Sequence, residues 1–276
     1  MIFWAGRSSD DVHVVVERYP SVELAGRKLD TQSVPGRNGD LLFLQDAYQN
    51  YVQAYSIYVS AERMRLPRAM RAVADWLCGP RGYQKLEDSY DVETYRRAYF
   101  AGPLDVESVM HRFGRATIEF NCQPQRFLRI GDMPVQAVQG EVLRNPTAFT
   151  ALPTITVTGT GAGTLTVGDV TVSISSMPRG AVVLDSGTQN ASYGAFNLNN
   201  TISAPEFPTL PAGESVVRWT GGIASVEIIP RWWKRYSNGC FWSNLNAKTI
   251  TLITMITMAS FLLKLSRLFC NGVLRC

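Results

Sequence analysis

The chain has 276 residues, of which 46% are hydrophobic and 18% charged, and this length accommodates two domains of ordinary size. Seven of the 27 basic residues and none of the 23 acidic ones follow Glu227, so the part before Arg231 carries a net charge of −3. A mildly acidic body excludes the concentrated basic face that sequence-specific nucleic-acid binding needs. Two histidines and five irregularly spaced cysteines predict neither a zinc site nor a disulfide framework.

The first half of the chain predicts strands. Residues 13–17, 41–44 and 51–59 are rich in β-branched and aromatic side chains, as strands are. Alternation in the third segment predicts one face with Tyr51, Gln53, Tyr55, Ile57 and Val59.

Between the first two of these strands lie two turn signals in residues 33–40. Pro35-Gly36 suits the centre of a type II turn, because Pro fixes φ and Gly accepts a positive φ. Asn38-Gly39 suits a type I′ hairpin turn. A structured turn in a β-domain is the simplest interpretation of this segment.

The next element is predicted to be a helix over residues 67–78. Pro67 is acceptable in a first turn because its missing N–H needs no partner there. Met70, Val73 and Leu77 form an apolar stripe, flanked by Ala69 and Trp76. Gly79-Pro80 predicts the end of the helix. We expect it to cover one face or open end of the β-structure.

Residues 115–122 alternate like a half-buried strand, which Pro124 is expected to end. Residues 134–152 are interpreted as a linker, since composition changes across them to small Thr, Val and Gly residues. Beyond them, short strands are predicted with a turn at 161–163; they occupy residues 154–158, 164–167, 170–174, 181–185, 215–219 and 225–229. Many short strands with Gly-rich turns are typical of an antiparallel sandwich.

No arrangement of residues indicates catalysis, a cofactor or a metal. Asp88, Asp91 and Glu93 are close in sequence, but a polar loop between strands explains them better than an acid–base pair. A nucleophile would need a base and an orienting partner, and no such set is evident. Cys78 and Cys122 are expected to be small buried residues in a reducing compartment.

One family matches the order and spacing of these segments. The matching residues are Ile2–Gly6, the Val34–Asp40 turn, Ala74–Leu77, Gly82–Leu86, Tyr95–Tyr99, Ile118–Pro124, Phe207–Glu214 and Ile229–Trp233. Over about residues 1–233 the chain resembles the distal tail proteins of long-tailed, non-contractile bacteriophages. No single motif is specific for this family, but the order and spacing of the whole series are.

The resemblance implies a mainly β protein with a ring-forming belt domain (residues 1–133, barrel-like with one helix), a linker (134–152) and a galectin-like β-sandwich (153–233). It implies a non-enzymatic virion component, made in the bacterial cytoplasm without a signal peptide. The protein would form a homohexameric ring at the distal end of the tail tube, with a lumen through which DNA passes. Expected partners are the tail-tube protein, tail-tip proteins and receptor-binding or baseplate proteins; a membrane is not expected.

Two sets of site residues follow from this interpretation. A candidate subunit-interface loop comprises Pro35, Gly36, Arg37, Asn38, Gly39 and Asp40. The alternative function is a lectin-like module that recognises host-surface glycans, since aromatic rings stack on sugars beside hydrogen-bonding amides. Its candidate residues are Trp219, Asn197 and Asn199, although Trp219 also fits a buried strand position.

The last segment, residues 234–276, differs from the rest. It has no acidic residue, three of the five cysteines and an uncharged run over 249–263. That run is shorter than the ~20 residues needed to cross a bilayer. A short span, a helix packed on the sandwich, and a segment outside the functional fold all stay open, and we favour the last. Deleting residues 236–276 is then expected to leave both domains folded and to improve solubility.

Overall fold

The computed structural model of the protein describes residues 1–21, 23–61, 66–104, 106–110 and 113–235. The predicted tail beyond residue 235 lies outside the described residues. Among the described residues, the first half contains one α-helix, α1 (Leu66–Cys78), and ten strands: β1 Ile2–Trp4, β2 Arg7–Ser8, β3 Val14–Val16, β4 Arg27–Gln32, β5 Leu41–Tyr48, β6 Tyr51–Ser60, β7 Gln84–Asp88, β8 Thr94–Phe100, β9 Val106–Met110 and β10 Phe113–Leu128.

The first sheet is antiparallel, with strand order β2-β1-β7-β8-β10-β6-β3; β9 also pairs with β10. In β6 every second residue from Tyr51 to Val59 is buried, while Val52 is exposed. The predicted alternation is therefore confirmed. It fixes the register, because a shift of one residue would turn the apolar set towards solvent.

Helix α1 covers the buried face of this sheet. Ala69, Val73, Trp76 and Leu77 are buried, which confirms the predicted stripe. The indole Nε1 of buried Trp4 donates to the carbonyl oxygen of Leu77 at 3.3 Å. This bond pairs one of the carbonyls that a helix leaves unsatisfied at its C-terminus.

Strand β10 is longer than predicted, since it continues past Pro124 to Leu128. Its pairing with β8 shifts register between Cys122 and Arg126. Pro124 lies in this irregular stretch, where the ladder requires no N–H from it. The expectation that Pro124 ends the strand was wrong for this reason.

The second half forms another antiparallel sheet and confirms the mainly β prediction. Its strands are β11 Val135–Gln136, β12 Val142–Asn145, β13 Thr154–Val167, β14 Val170–Ile174, β15 Ala181–Asp185, β16 Asn190–Tyr193, β17 Phe196–Asn197, β18 Ile202–Ser203 and β19 Gly213–Ile229. The order is β11-β19-β13-β15-β16-β17, with β12 on β19 and β14 between β13 and β18. Strands β11 and β12 lie in the predicted linker and both pair with β19. The domain boundaries stay a prediction.

Strands β13 and β19 replace four shorter predicted strands. Their register shifts around Gly159 and Gly163, where a turn was expected. A Cβ on Gly159 would lie 2.1 Å from the carbonyl oxygen of Gly222. Glycine therefore permits the two backbones to approach closely while the strands continue. The final strand, β20 (Trp233–Lys234), returns to the first sheet and pairs with β10.

Candidate functional site

The loop that was predicted to lie at a subunit interface joins β4 to β5. The N–H of Arg37 donates to the carbonyl of Val34 at 3.2 Å, and Gly36 has a φ of 80°. Both features are those of a type II turn with Pro35 and Gly36 at its centre. The first turn prediction is confirmed.

The second turn prediction was wrong. Gly39 has a φ of 82°, but Asn38 is not among the residues with positive φ, and a type I′ turn requires positive φ at both central residues. The eight residues between β4 and β5 make a two-residue hairpin turn unnecessary, so Asn38 keeps ordinary backbone angles.

The β4–β5 hairpin is a separate two-stranded sheet with an apolar surface. Its register places Leu29 opposite Leu44 and Thr31 opposite Leu42, so the three leucines share one face. Leu29 is 45% exposed, Leu44 is 61% exposed and Leu42 is 56% exposed. We call Leu29, Leu42 and Leu44 the leucine face. Water contact with so much apolar surface is unfavourable and is typical of an interaction site.

A buried ion pair lies at the end of β7 in the first sheet. Arg96 Nη1 donates to Asp88 Oδ2 at 2.8 Å, and Tyr55 Oη donates to the same oxygen at 2.7 Å. The other oxygen, Asp88 Oδ1, accepts from the N–H groups of Tyr90 and Asp91 at 3.0 and 2.9 Å. Each oxygen of Asp88 therefore accepts two hydrogen bonds from the protein, so this carboxylate has a structural role.

Burial alone would raise the pKa of Asp88, but Arg96, Tyr55 and the Asp91 N–H together hold it below its usual value. Burial raises the pKa of Tyr55 well above its usual value. Neighbouring Asp91 pairs with Arg126 and accepts from Thr94. One of the three carboxylates that were interpreted as a polar loop, Asp88, therefore forms a buried ion pair with Arg96. The sequence did not indicate this pair, because Asp88 and Arg96 meet only when β7 and β8 pair.

This pair predicts acid sensitivity. A carboxyl whose folded-state pKa is depressed contributes stability above its unfolded pKa of about 4, and loses it as pH falls through the lower folded-state value. We expect the urea midpoint to be constant from pH 7 to about 5 and to fall steeply below pH 4. An Asp88→Asn variant should show a flatter acid limb; an identical limb in both proteins would contradict the assignment.

The two sheets meet where residues 129–132 face residues 231–234. Arg231 N–H donates to the Gly131 carbonyl at 2.8 Å, and Leu128 N–H donates to the Trp232 carbonyl at 2.8 Å. Arg231 adopts a positive φ of 55°, and its guanidinium binds both oxygens of Asp185 at 2.7 and 3.1 Å. Although burial opposes it, this pairing lowers the pKa of Asp185.

Aromatic packing continues the junction. The rings of Phe149 and Trp233 stack with centroids 4.4 Å apart, and Trp233 Nε1 donates to the Thr150 carbonyl at 2.8 Å. Because Trp233 also belongs to β20 on the first sheet, one residue connects both sheets. The end of the described chain is therefore part of the junction.

The candidate glycan residues are not brought together. Asn199 Nδ2 donates to Asn190, Asn199 Oδ1 accepts from Ala191 N–H, and Asn197 Oδ1 accepts from Asn199 N–H. Trp219 lies on β19, opposite Leu165 of β13, and packs partly against the core of the second sheet. Strand β13 stands between Trp219 and the asparagines in the sheet order. The glycan-binding role of these three residues stays a prediction.

Two other expectations concern cysteines and metals. Cys122 is buried as expected, and burial raises the pKa of its thiol to about 12; Cys78, at the end of α1, is exposed instead. Among the described residues, no group of three or more His, Cys, Asp or Glu side chains is arranged to hold a metal ion. Within the same residues, no helix is long and apolar enough to span a membrane.

Comparison with known proteins rests on the fold, because no protein-family model and no curated protein sequence matches the chain. The crystal structure of the Dit protein of phage SPP1 superposes with a TM-score of 0.63 at 11% identity. The match covers 82% of this chain and 96% of the SPP1 protein. The chain has the Dit fold.

The resemblance to distal tail proteins is thus confirmed at the level of the fold. A chain in the structure of the phage P2 baseplate is also similar to this one, with a TM-score of 0.50 and 9% identity over 83% of this chain and 92% of that one. The SPP1 Dit protein is described as a hub of the adsorption apparatus in phages that infect Gram-positive bacteria.

Proposed function

We propose that the protein is a structural, non-enzymatic hub of a phage tail. It forms a homohexameric ring at the distal end of the tail tube, with a lumen for DNA, and joins the tube to baseplate, tail-tip and receptor-binding proteins. The second sheet serves as a galectin-like domain that holds those partners. The observation that carries this proposal is the Dit fold, which extends over 96% of the SPP1 hub protein.

The leucine face supports assembly into a ring. A cyclic array buries the same surface of every copy and leaves none exposed. Exposed apolar surface on a two-stranded hairpin is otherwise a risk for aggregation. The loop of residues 35–40 sits at the tip of this hairpin, so a hairpin inserted into the neighbouring copy would also bring Arg37 and Asp40 into the joint.

The acidic residues that form ion pairs in both halves of the chain support a structural role. Asp88 and Asp91 are engaged by Arg96 and Arg126, and Asp185 by Arg231. Asp88 and Asp185 are poor general bases, because their ion pairs and hydrogen bonds lower the pKa of each carboxyl rather than raising it towards neutrality. Their positions stabilise strand ends and the sheet junction.

Electron microscopy and light scattering test the proposal directly. The full-length protein should form particles of six-fold symmetry with a central hole, and a mass near six times 30.6 kDa. The particles should also bind a tail-tube protein end to end. A strictly monomeric species at high protein concentration would refute the ring.

Substitutions on the leucine face should separate assembly from folding. A Leu42→Asp, Leu44→Asp double variant should be monomeric, because two charges would be buried in the joint without partners. Its free energy of unfolding as a monomer should change by only about 0.5 kcal/mol, as for other exposed positions. Sedimentation velocity and urea unfolding measure the two effects.

Gln32→Asp is the matched control. Gln32 pairs with Leu41, which places it on the opposite face of the hairpin. The control adds a negative charge to the same exposed hairpin and should retain the ring. Arg37→Ala and Asp40→Ala are expected to weaken the ring more than they destabilise the fold. A leucine-face variant that still forms hexamers would exclude this face as the joint.

A further inference from the structure

An open cleft of about 710 Å³ lies beside the junction of the two sheets. Its floor is the outer face of β7, β8 and β10, with Tyr83 just before β7. Its wall comes from the second half of the chain, through Thr154, Ile229 and Arg231. The volume falls in the range of small-ligand sites. None of the roles proposed above uses this cleft.

Tyr83 provides a fixed aromatic surface at one end of the cleft. The residue is 44% exposed, and its ring meets the Tyr99 ring edge-on with centroids 5.3 Å apart. Asn50 Nδ2 donates to Tyr83 Oη and to Asn121 Oδ1, both at 2.7 Å. A ring held from its edge and its hydroxyl loses little conformational entropy when a ligand packs against its exposed face.

Arg97 provides the positive charge of the cleft. Lys85 binds Glu87 and Asp132, and Arg231 binds Asp185. Arg97, in contrast, forms no ion pair with a described carboxylate, and its guanidinium lies 4.9 Å from the centroid of Phe127. A guanidinium that is oriented on a ring and lacks a carboxylate partner can bind an anionic group with two parallel hydrogen bonds.

A side-chain amide completes the floor. Gln123 is half-buried and forms no side-chain hydrogen bond with the described residues. Gln84 also lines the cleft, but it pairs with buried Ala98, so its side chain lies on the opposite face of β7 from Lys85. The Gln123 amide offers donors and an acceptor of the kind that hydroxyl groups need.

We propose that this cleft binds an anionic saccharide. The apolar C–H face of a sugar ring stacks on Tyr83, a hydroxyl group bonds to the amide of Gln123, and a carboxylate or phosphate on the sugar binds Arg97. Lys85 lies opposite Arg97 on the neighbouring strand, so Tyr83, two residues before Lys85, is diagonal to Arg97. Diagonal neighbours are ~7–8 Å apart, a span comparable to one sugar unit. The proposal does not depend on the ring.

A printed array tests the ligand class with the full-length protein. It should hold uronic-acid oligosaccharides, sugar-phosphate oligosaccharides, their neutral counterparts and poly(glycerol phosphate), which has charge but no sugar ring. We expect binding to at least one anionic saccharide, and about tenfold weaker binding or none to its neutral counterpart and to poly(glycerol phosphate). Uronic-acid and sugar-phosphate spots distinguish the two sources of charge. Absence of binding to every anionic saccharide, or equal binding to the neutral ones, would overturn the proposal.

Variants locate the site by titration calorimetry with the best ligand from the array. Arg97→Gln and Tyr83→Ala should each weaken binding about tenfold or more, while Tyr83→Phe, which keeps the ring, should stay within about threefold of the unmodified protein. The controls Arg218→Gln and Tyr193→Ala change exposed residues outside the cleft and should bind normally. Unchanged affinity in Arg97→Gln would overturn the assignment, as would equal losses in the controls. Hexamers should persist in every variant, so failure here and failure of the hub function are distinguishable.

Discussion

Replacement of Asp88 with Asn is expected to lower the free energy of unfolding by about 3–5 kcal/mol, which is the usual cost of breaking a buried ion pair from one side. Arg96 would keep its charge, because burial does not deprotonate a guanidinium. The side chains of Asp88 and Arg96 are only 0% and 4% exposed, so water cannot replace the lost carboxylate. Tyr55 would also lose the charge that its hydroxyl group now contacts. Urea unfolding at pH 7 measures the loss.

Two further variants distinguish a lost ion pair from a general effect of removing charge. Glu93→Gln removes an exposed carboxylate that faces Lys234 at 3.5 Å and should change stability by about 0.5 kcal/mol or less. An Asp88→Leu, Arg96→Met double variant replaces both charges with apolar groups and should recover much of the stability. A double variant less stable than Asp88→Asn would show that the hydrogen bonds, and not the unpaired charge, account for the loss.

Local periodicity explains which parts of the fold could be predicted from the sequence. The alternation of β6 and the stripe of α1 each report one face of a regular element, and both were confirmed because burial follows that period. The type II turn at Pro35-Gly36 was also local, since the φ of two residues determines it.

The incorrect or missing predictions have one physical cause. Each concerns a feature that is determined by pairing with another strand. Pro124 ends no strand because its place in the register shift with β8 needs no N–H. The glycines around 161 make no turn because β19 passes within contact distance of the backbone there. Likewise, Asp88 and Arg96 find each other only through the pairing of β7 with β8. No single-segment pattern contains this information.

The candidate sites also divide into features that one segment determines and features that strand pairing determines. The hairpin loop was recognisable from its turn residues, but the leucine face needed the register that places Leu29 opposite Leu44. The glycan candidates were chosen for residue type alone, and the strand order leaves Trp219 apart from the asparagines. The cleft combines residues from five strands and both halves of the chain, so sequence proximity could not have indicated it.

Replacement of Gly131 with Ala is expected to destabilise the junction of the two sheets by about 3 kcal/mol. The added Cβ would lie 2.4 Å from the backbone nitrogen of Trp232 and 3.1 Å from its Cβ. That backbone cannot withdraw easily, because Arg231 N–H bonds to Gly131 and the Trp232 carbonyl accepts from Leu128. Relief of the clash would therefore break hydrogen bonds on both sides and loosen β20 from β10.

Gly102→Ala is the matched control, since its Cβ would meet nothing within 4 Å and its φ is not positive. It should change stability by no more than about 0.5 kcal/mol. Hydrogen exchange then locates the damage: in Gly131→Ala, the amides of Leu128 and Arg231 should lose protection before those of β6. Equal stability in the two alanine variants would show that the junction backbone moves away from the added Cβ at no cost. So mobile a junction could not hold the second half of a hub in a fixed position relative to a ring.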